Sequence, residues 1–136
     1  MGYLGLALCA GLCGVGSAIG LYFTGSAASG VLADDAKKFS KVLILVVLPA
    51  TQGIYGFVFA IIGLGSVATL PAEQLLFASL PLALTGLISG IFQGLTSVSG
   101  IYAVAKNEKL SGKLILFPAM VETYAILGLV ISILML

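Results

Sequence analysis

The chain contains no histidine, no arginine and no tryptophan, and only two cysteines among its 136 residues. Without imidazole, zinc sites built on histidine and histidine-based catalytic triads are excluded as intrinsic activities. Cys9 and Cys13 stand four apart on one face of an apolar run, where cysteine serves as a small apolar residue rather than a redox centre. No phosphate-binding glycine loop is present, so any nucleotide chemistry must reside in partner proteins. Charge is equally scarce: 8% of residues are charged, 60% are hydrophobic, and five acids face six lysines for a net charge of +1. A soluble domain of this size could not cover that much apolar surface. The composition specifies an all-α integral membrane protein, and no nucleic-acid partner is expected.

The apolar residues fall into four runs, roughly 2 to 33, 41 to 66, 72 to 105 and 112 to 136, each long enough to cross a hydrocarbon core that takes about 20 helical residues. All the lysines lie in two clusters, Lys37, Lys38 and Lys41 after the first run and Lys106, Lys109 and Lys113 after the third. By the positive-inside rule, loops 34–41 and 106–113 are cytoplasmic and both termini lie outside. The remaining connection, Ser66 to Gln74, has no lysine, and Pro71 is placed to open the third helix. The apolar Gly2–Gly30 stretch lacks a basic leader and is too long for a signal peptide, so it is expected to be retained.

The two halves repeat each other. Gly16, Gly20, Ser29, Gly30 and Ala33 fall on Gly86, Gly90, Ser99, Gly100 and Ala103, and Pro49, Ala50 and Tyr55 fall on Pro118, Ala119 and Tyr124. The expectation is two tandem helical hairpins, residues 1–68 and 69–136, in parallel orientation, which argues against inverted-repeat transporters. Glycine is concentrated in the first helix of each hairpin: Gly11, Gly14, Gly16, Gly20, Gly25 and Gly30 in one, Gly86, Gly90, Gly94 and Gly100 in the other. Such small-residue faces let backbones approach closely, as in an ordinary helix dimer or a tightly packed inner ring, and the alternation between helices favours the ring.

One acid stands apart. Glu122 lies inside the last apolar run, with no charged residue after it. An ionised carboxylate at that depth costs at least roughly 2.5 kcal/mol, so intramembrane acids are usually paired, protonated or holding a cation. At helical rise, Gln52 lies about 16 Å from Lys41, Gln93 about 19 Å from Lys106 and Glu122 about 13 Å from Lys113, all near the midplane. With Thr51 they can form an oxygen cage for a hard cation, favouring Na⁺ over a bare proton, which needs only the acid. Each polar residue taken singly is better explained by interhelical hydrogen bonding, and it is their shared depth with Glu122 that favours the cage. Tyr55, three residues after Gln52, can donate to the Glu122 carboxylate or merely pack. Pro49 and Pro118 are expected to free the carbonyls of Leu45 and Leu114 and kink their helices beside the site.

The segments Leu48-Pro49-Ala50-Thr51-Gln52-Gly53-Ile54-Tyr55-Gly56, Phe92-Gln93-Gly94 and Pro118-Ala119-Met120-Val121-Glu122-Thr123-Tyr124 carry a resemblance over essentially the whole chain. It resembles the duplicated proteolipid subunit of rotary vacuolar-type and archaeal-type ATPases, in the bacterial sodium-translocating branch called subunit K. The resemblance implies a homo-oligomeric rotor ring in lipid, with Na⁺ held by the Leu48 carbonyl, the side chains of Thr51, Gln52 and Gln93, and the Glu122 carboxylate, and with Tyr55 as that carboxylate's hydrogen-bond partner. H⁺ carried by Glu122 alone is the alternative cargo. The repeat places Gly53 opposite Glu122 and Phe23 opposite Gln93, so one ion per chain is implied rather than two. A large membrane stator subunit would supply the basic residue that competes for the carboxylate, and rotor-stalk subunits would dock on the cytoplasmic loops. A small multidrug or ion antiporter fits less well, since its acid usually lies in the first helix and its pocket is aromatic. A purely structural or pore-forming proteolipid would explain the glycines but not the oxygen cage.

Overall fold

A computed structural model describes all 136 residues and is all-α. The helices are α1 (Gly2–Asp34), α2 (Phe39–Val47), α3 (Thr51–Ser66), α4 (Ala72–Lys106) and α5 (Leu116–Leu134). Together α2 and α3 form one path from Ala36 to Ser66, and with α1, α4 and α5 they give four helices long and apolar enough to cross a membrane. This is a multi-pass membrane protein. Helices are the required solution, because a single segment in lipid must satisfy its backbone groups internally.

Proline sets the local geometry in three different ways. Pro49 interrupts the second path with a 3₁₀ turn, Leu48–Ala50, which separates α2 from α3. Pro81 sits inside α4, where nearby backbone groups are picked up by other helices: the Leu82 amide donates to Ser132 Oγ at 3.1 Å, and Cys13 Sγ donates to the Leu82 carbonyl at 3.4 Å. Pro118 corrects the sequence expectation. The fourth spanning helix begins at Leu116 rather than near 112, after turns through 111–115, so Pro118 lies in its first turn. An amide there has no intrahelical acceptor to lose, and no kink is needed.

The central contact is between α1 and α4. Gly16 and Gly20 meet Gly90 and Gly94 so closely that a methyl group on Gly90 would come within 2.7 Å of the Gly16 carbonyl carbon. The glycines of α1 thus divide by face: Gly16 and Gly20 pack inside the chain, whereas a methyl group on Gly11, Gly14, Gly25 or Gly30 would meet nothing within 4 Å. Two apolar clusters lie on either side of this crossing. Leu6, Cys9, Cys13, Phe59, Ala78, Leu82 and Ala83 form one; Ala27, Ala28, Val31, Val42, Leu45, Ile101 and Val104 form the other, nearer the lysine-bearing connections. Gln52, Gln93 and Ser17 lie along their helices between the two clusters.

Those lysine-bearing connections are built alike. Asp35 (φ −151°, ψ 98°) and Asn107 (φ −146°, ψ 99°) end α1 and α4 in extended conformation, and each side chain accepts a backbone N–H two residues on, from Lys37 at 3.0 Å and from Lys109 at 3.2 Å. Short side chains that bond their own backbone in this way stop a helix and start a turn. Side-chain bonds also fasten both ends of the bundle. Lys38 Nζ donates to the Ala105 carbonyl at 2.6 Å, and at the opposite end Gln74 Nε2 donates to the Met135 carbonyl at 2.9 Å.

Candidate functional site

The site forms where the 3₁₀ turn between α2 and α3 faces the middle of α4 and the first turns of α5. Pro49 is buried against Gly20 of α1, which holds this turn next to the glycine crossing. Thr51, the first residue of α3, donates from Oγ1 to the Leu48 carbonyl at 3.0 Å and lies 3.3 Å from Gln52 Oε1. Gln52 Nε2 then crosses to α4 and donates to Gln93 Oε1 at 2.7 Å. From Gln93, Nε2 donates to Glu122 Oε2 at 3.0 Å and to the Pro118 carbonyl at 3.1 Å. The other carboxylate oxygen, Oε1, accepts the Tyr55 hydroxyl at 2.5 Å.

Leu48, Thr51, Gln52, Tyr55, Gln93 and Glu122 are therefore joined in one hydrogen-bonded chain that runs through three helices. Gln52 and Gln93 are completely buried, while Thr51, Tyr55 and Glu122 are half-buried at its outer edge. Burial makes the amides obligatory partners, since an unpaired polar group in a low-dielectric interior costs far more than a paired one. No group of three or more carboxylates, thiols or imidazoles occurs, so a cation here would have to be held by one carboxylate together with amide, hydroxyl and carbonyl oxygens.

Two participants escaped sequence reasoning. The Pro118 carbonyl accepts from Gln93, and Ser17 of α1 accepts the Gly53 amide at 2.7 Å, bracing α3 one residue beyond Gln52. Ser17 adjoins Gly16 on the packed face of α1, and that position was its only signal.

The sequence profile of the ATP synthase C-subunit family matches residues 4–63 and 76–135. The chain belongs to this family. Its membership makes it a non-catalytic membrane component of a rotary ATPase. Relatives extend the likeness over nearly the whole chain. The V-type sodium ATPase subunit K of Enterococcus hirae is 50% identical over 126 residues, covering 90% of this chain and 81% of that protein. The A-type ATP synthase subunit K of Methanocaldococcus jannaschii is 40% identical over 136 residues, and the whole of this chain spans 61% of its length. In this member of the family the carboxylate of Glu122, on the last helix, is the one acidic side chain within a span that is tied to both other site-bearing helices.

Proposed function

We propose that the chain is one unit of a membrane rotor ring that binds and carries Na⁺ at Glu122, driven by or driving ATP chemistry in partner subunits. The observation that carries this reading is the hydrogen-bonded chain from Thr51 through Gln52 and Gln93 to Glu122 and Tyr55, which puts neutral oxygen-bearing side chains of α3 and α4 on one path that ends at a single carboxylate. Na⁺ is a hard cation that prefers such oxygens, and one carboxylate leaves the occupied site neutral. The Leu48 carbonyl, Thr51 Oγ1, the amide oxygens of Gln52 and Gln93 and the Glu122 carboxylate are the ligands. Tyr55 holds the carboxylate in position. The 50% identity to a V-type sodium ATPase component supports the choice of ion.

Binding asks the two amides to turn together, because Gln52 Nε2 donates to the Gln93 oxygen that a cation would take. The Gln93 amide nitrogen bonds Glu122 Oε2, so a cation on that carboxylate displaces the N–H and takes the amide oxygen in its place. The neutral ion pair then passes through lipid as the ring turns, and a basic residue of the stator competes for Glu122 at the exit. This chain supplies no such cation at the depth of Glu122, its lysines lying in the two connections and at the helix ends beside them. Those connections, placed in the cytoplasm with both termini outside, are the docking surface for the rotor stalk. The likeness of the Asp35 and Asn107 turns supports two hairpins, 1–68 and 69–136, of which only the second carries an acid away from the helix ends.

The deciding experiment measures how fast a hydrophobic carbodiimide modifies Glu122 in detergent-solubilised protein across pH, with Na⁺ or K⁺. Protection by Na⁺ at concentrations where K⁺ has no effect supports the sodium site. Protection by rising pH alone assigns H⁺ as the cargo and removes the ligand roles of Thr51, Gln52 and Gln93.

A further inference from the structure

Two hydroxyls of α1 hold the second membrane path on either side of its break. Thr24 is completely buried, and its Oγ1 donates to the Val46 carbonyl at 2.8 Å, closer than the Leu21 carbonyl of its own helix at 3.2 Å. Ser17 Oγ accepts the Gly53 amide at 2.7 Å. Between them Gly20 leaves room for Pro49, since a methyl group there would come within 2.7 Å of Pro49 Cβ. The register is antiparallel, with Thr24, Gly20 and Ser17 meeting Val46, Pro49 and Gly53 in turn. The two hydroxyls are seven residues apart, about 10 Å and almost two whole turns, so both project from one face of α1. Their partners are seven residues apart as well.

Pro49 explains why a donor is needed before the break. Lacking an amide hydrogen, it offers no bond to the carbonyl three or four residues earlier, Val46 or Leu45, and Thr24 brings a donor to Val46 from another helix. The segment between the two contacts contains Leu48, Thr51 and Gln52, three of the proposed ligands, whereas α1 supplies none. The internal repeat shows that the hydroxyls go with the break. At the offset that places Gly20 on Gly90, Ser17 falls on Leu87 and Thr24 on Gly94. The third spanning helix thus keeps the glycine and has neither hydroxyl, and its hairpin partner α5 carries Pro118 in its first turn, with no break to hold.

We infer that Thr24 and Ser17 are positioning residues of the cation site: α1 touches no cation, yet its two hydroxyls fix the backbone from Val46 to Gly53 and with it the spacing of the Leu48 carbonyl, Thr51 and Gln52. This rests on the sodium reading given above. A main-chain carbonyl cannot be moved by a change of rotamer, so its distance to a cation is set by backbone conformation, and holding that conformation beforehand lowers the cost of binding. Loosening the turn therefore weakens Na⁺ binding. It leaves the proton affinity of Glu122 unchanged, because the donors to that carboxylate, Tyr55 and Gln93, lie outside the turn.

The test compares Thr24→Val, Thr24→Ser and Ser17→Ala in the detergent-purified native assembly, with Ser79→Ala, whose hydroxyl bonds the Leu75 carbonyl of its own helix, as a control away from the turn. Two quantities are read from carbodiimide labelling of Glu122: the Na⁺ concentration that half-protects at fixed pH, and the pH of half-labelling without Na⁺. Thr24→Val, which keeps the shape and removes the hydroxyl, and Ser17→Ala are each expected to raise half-protecting Na⁺ about five- to tenfold, the scale of one lost hydrogen bond, with proton affinity changed by less than about twofold. Thr24→Ser, which keeps the donor, binds Na⁺ near the wild-type concentration, and Ser79→Ala behaves as wild type. Ser17→Ala decides the question alone if Thr24→Val fails to assemble. The inference is overturned if either hydroxyl-free variant binds Na⁺ as wild type does, if Thr24→Ser is weakened as much as Thr24→Val, or if the pH of half-labelling shifts along with Na⁺ affinity. Absence of Na⁺ protection in the wild-type protein would instead defeat the sodium reading itself, before any variant is compared.

Discussion

The Tyr55 hydroxyl donates to Glu122 Oε1 at 2.5 Å, joining α3 to α5 across 67 positions of sequence. Gln93 holds the other carboxylate oxygen from α4, so the acid is fixed from two sides by donors on two different helices. Such fixation narrows the geometries in which the carboxylate can meet a cation, and it makes the strength of the site depend on residues that are themselves neutral.

Tyr55→Phe removes one donor to a charged acceptor without changing the ring that packs beside it. Hydrogen bonds to charged groups contribute about 1.5–3 kcal/mol, so the Na⁺ concentration that half-protects Glu122 should rise at least about tenfold. An unchanged half-protection would show that the hydroxyl is dispensable for binding.

Glu122→Gln keeps the shape of the side chain and removes the charge. Carbodiimide labelling and ²²Na⁺ binding should both disappear, while the protein still inserts, folds and assembles as judged by size in mild detergent. Loss of assembly with ion binding retained by another residue would assign Glu122 a structural role instead.

Gly90→Val tests the crossing of α1 and α4. A methyl group on Gly90 already meets the Gly16 backbone at 2.7 Å, and backbone cannot swing aside as a side chain can. Overpacking of this kind costs about 1–3 kcal/mol or more, so the thermal midpoint in detergent should fall. Gly25→Ala, where nothing lies within 4 Å of the added methyl, should leave the isolated protomer's midpoint unchanged.

Lys38→Met removes the donor to the Ala105 carbonyl while keeping the aliphatic stem. The Ala105 carbonyl loses a charged donor near the end of α4, a change of about 1.5 kcal/mol at this part-exposed position. Amide hydrogen exchange through Val104–Asn107 should accelerate several-fold, with the Glu122 site unaffected. Equal exchange in the variant would make the contact incidental.

Much of this architecture is legible in the chain itself. Hydropathy alone separates the four spans, because a membrane segment must be long, apolar and helical whatever its tertiary neighbours. The shared depth of Gln52, Gln93 and Glu122 follows from counting residues to the lysines, and the structure brings all three together. Pro118 misleads because a proline in an apolar run looks internal until the start of the helix is known. Here the turns at 111–115 move that start to Leu116 and put the proline where it disrupts nothing.

Composition, run length and charge placement are properties of the chain and need no packing, so they specify a membrane protein of four spans with one intramembrane acid. Packing decided the rest: which glycines lie within the protomer, that Pro118 opens a helix, and that Ser17 and the Pro118 carbonyl brace the site. The reason is physical: depth along a helix follows from rise per residue, but the side on which a residue meets its neighbour follows from how helices rotate and cross, and close packing settles that between all of them at once.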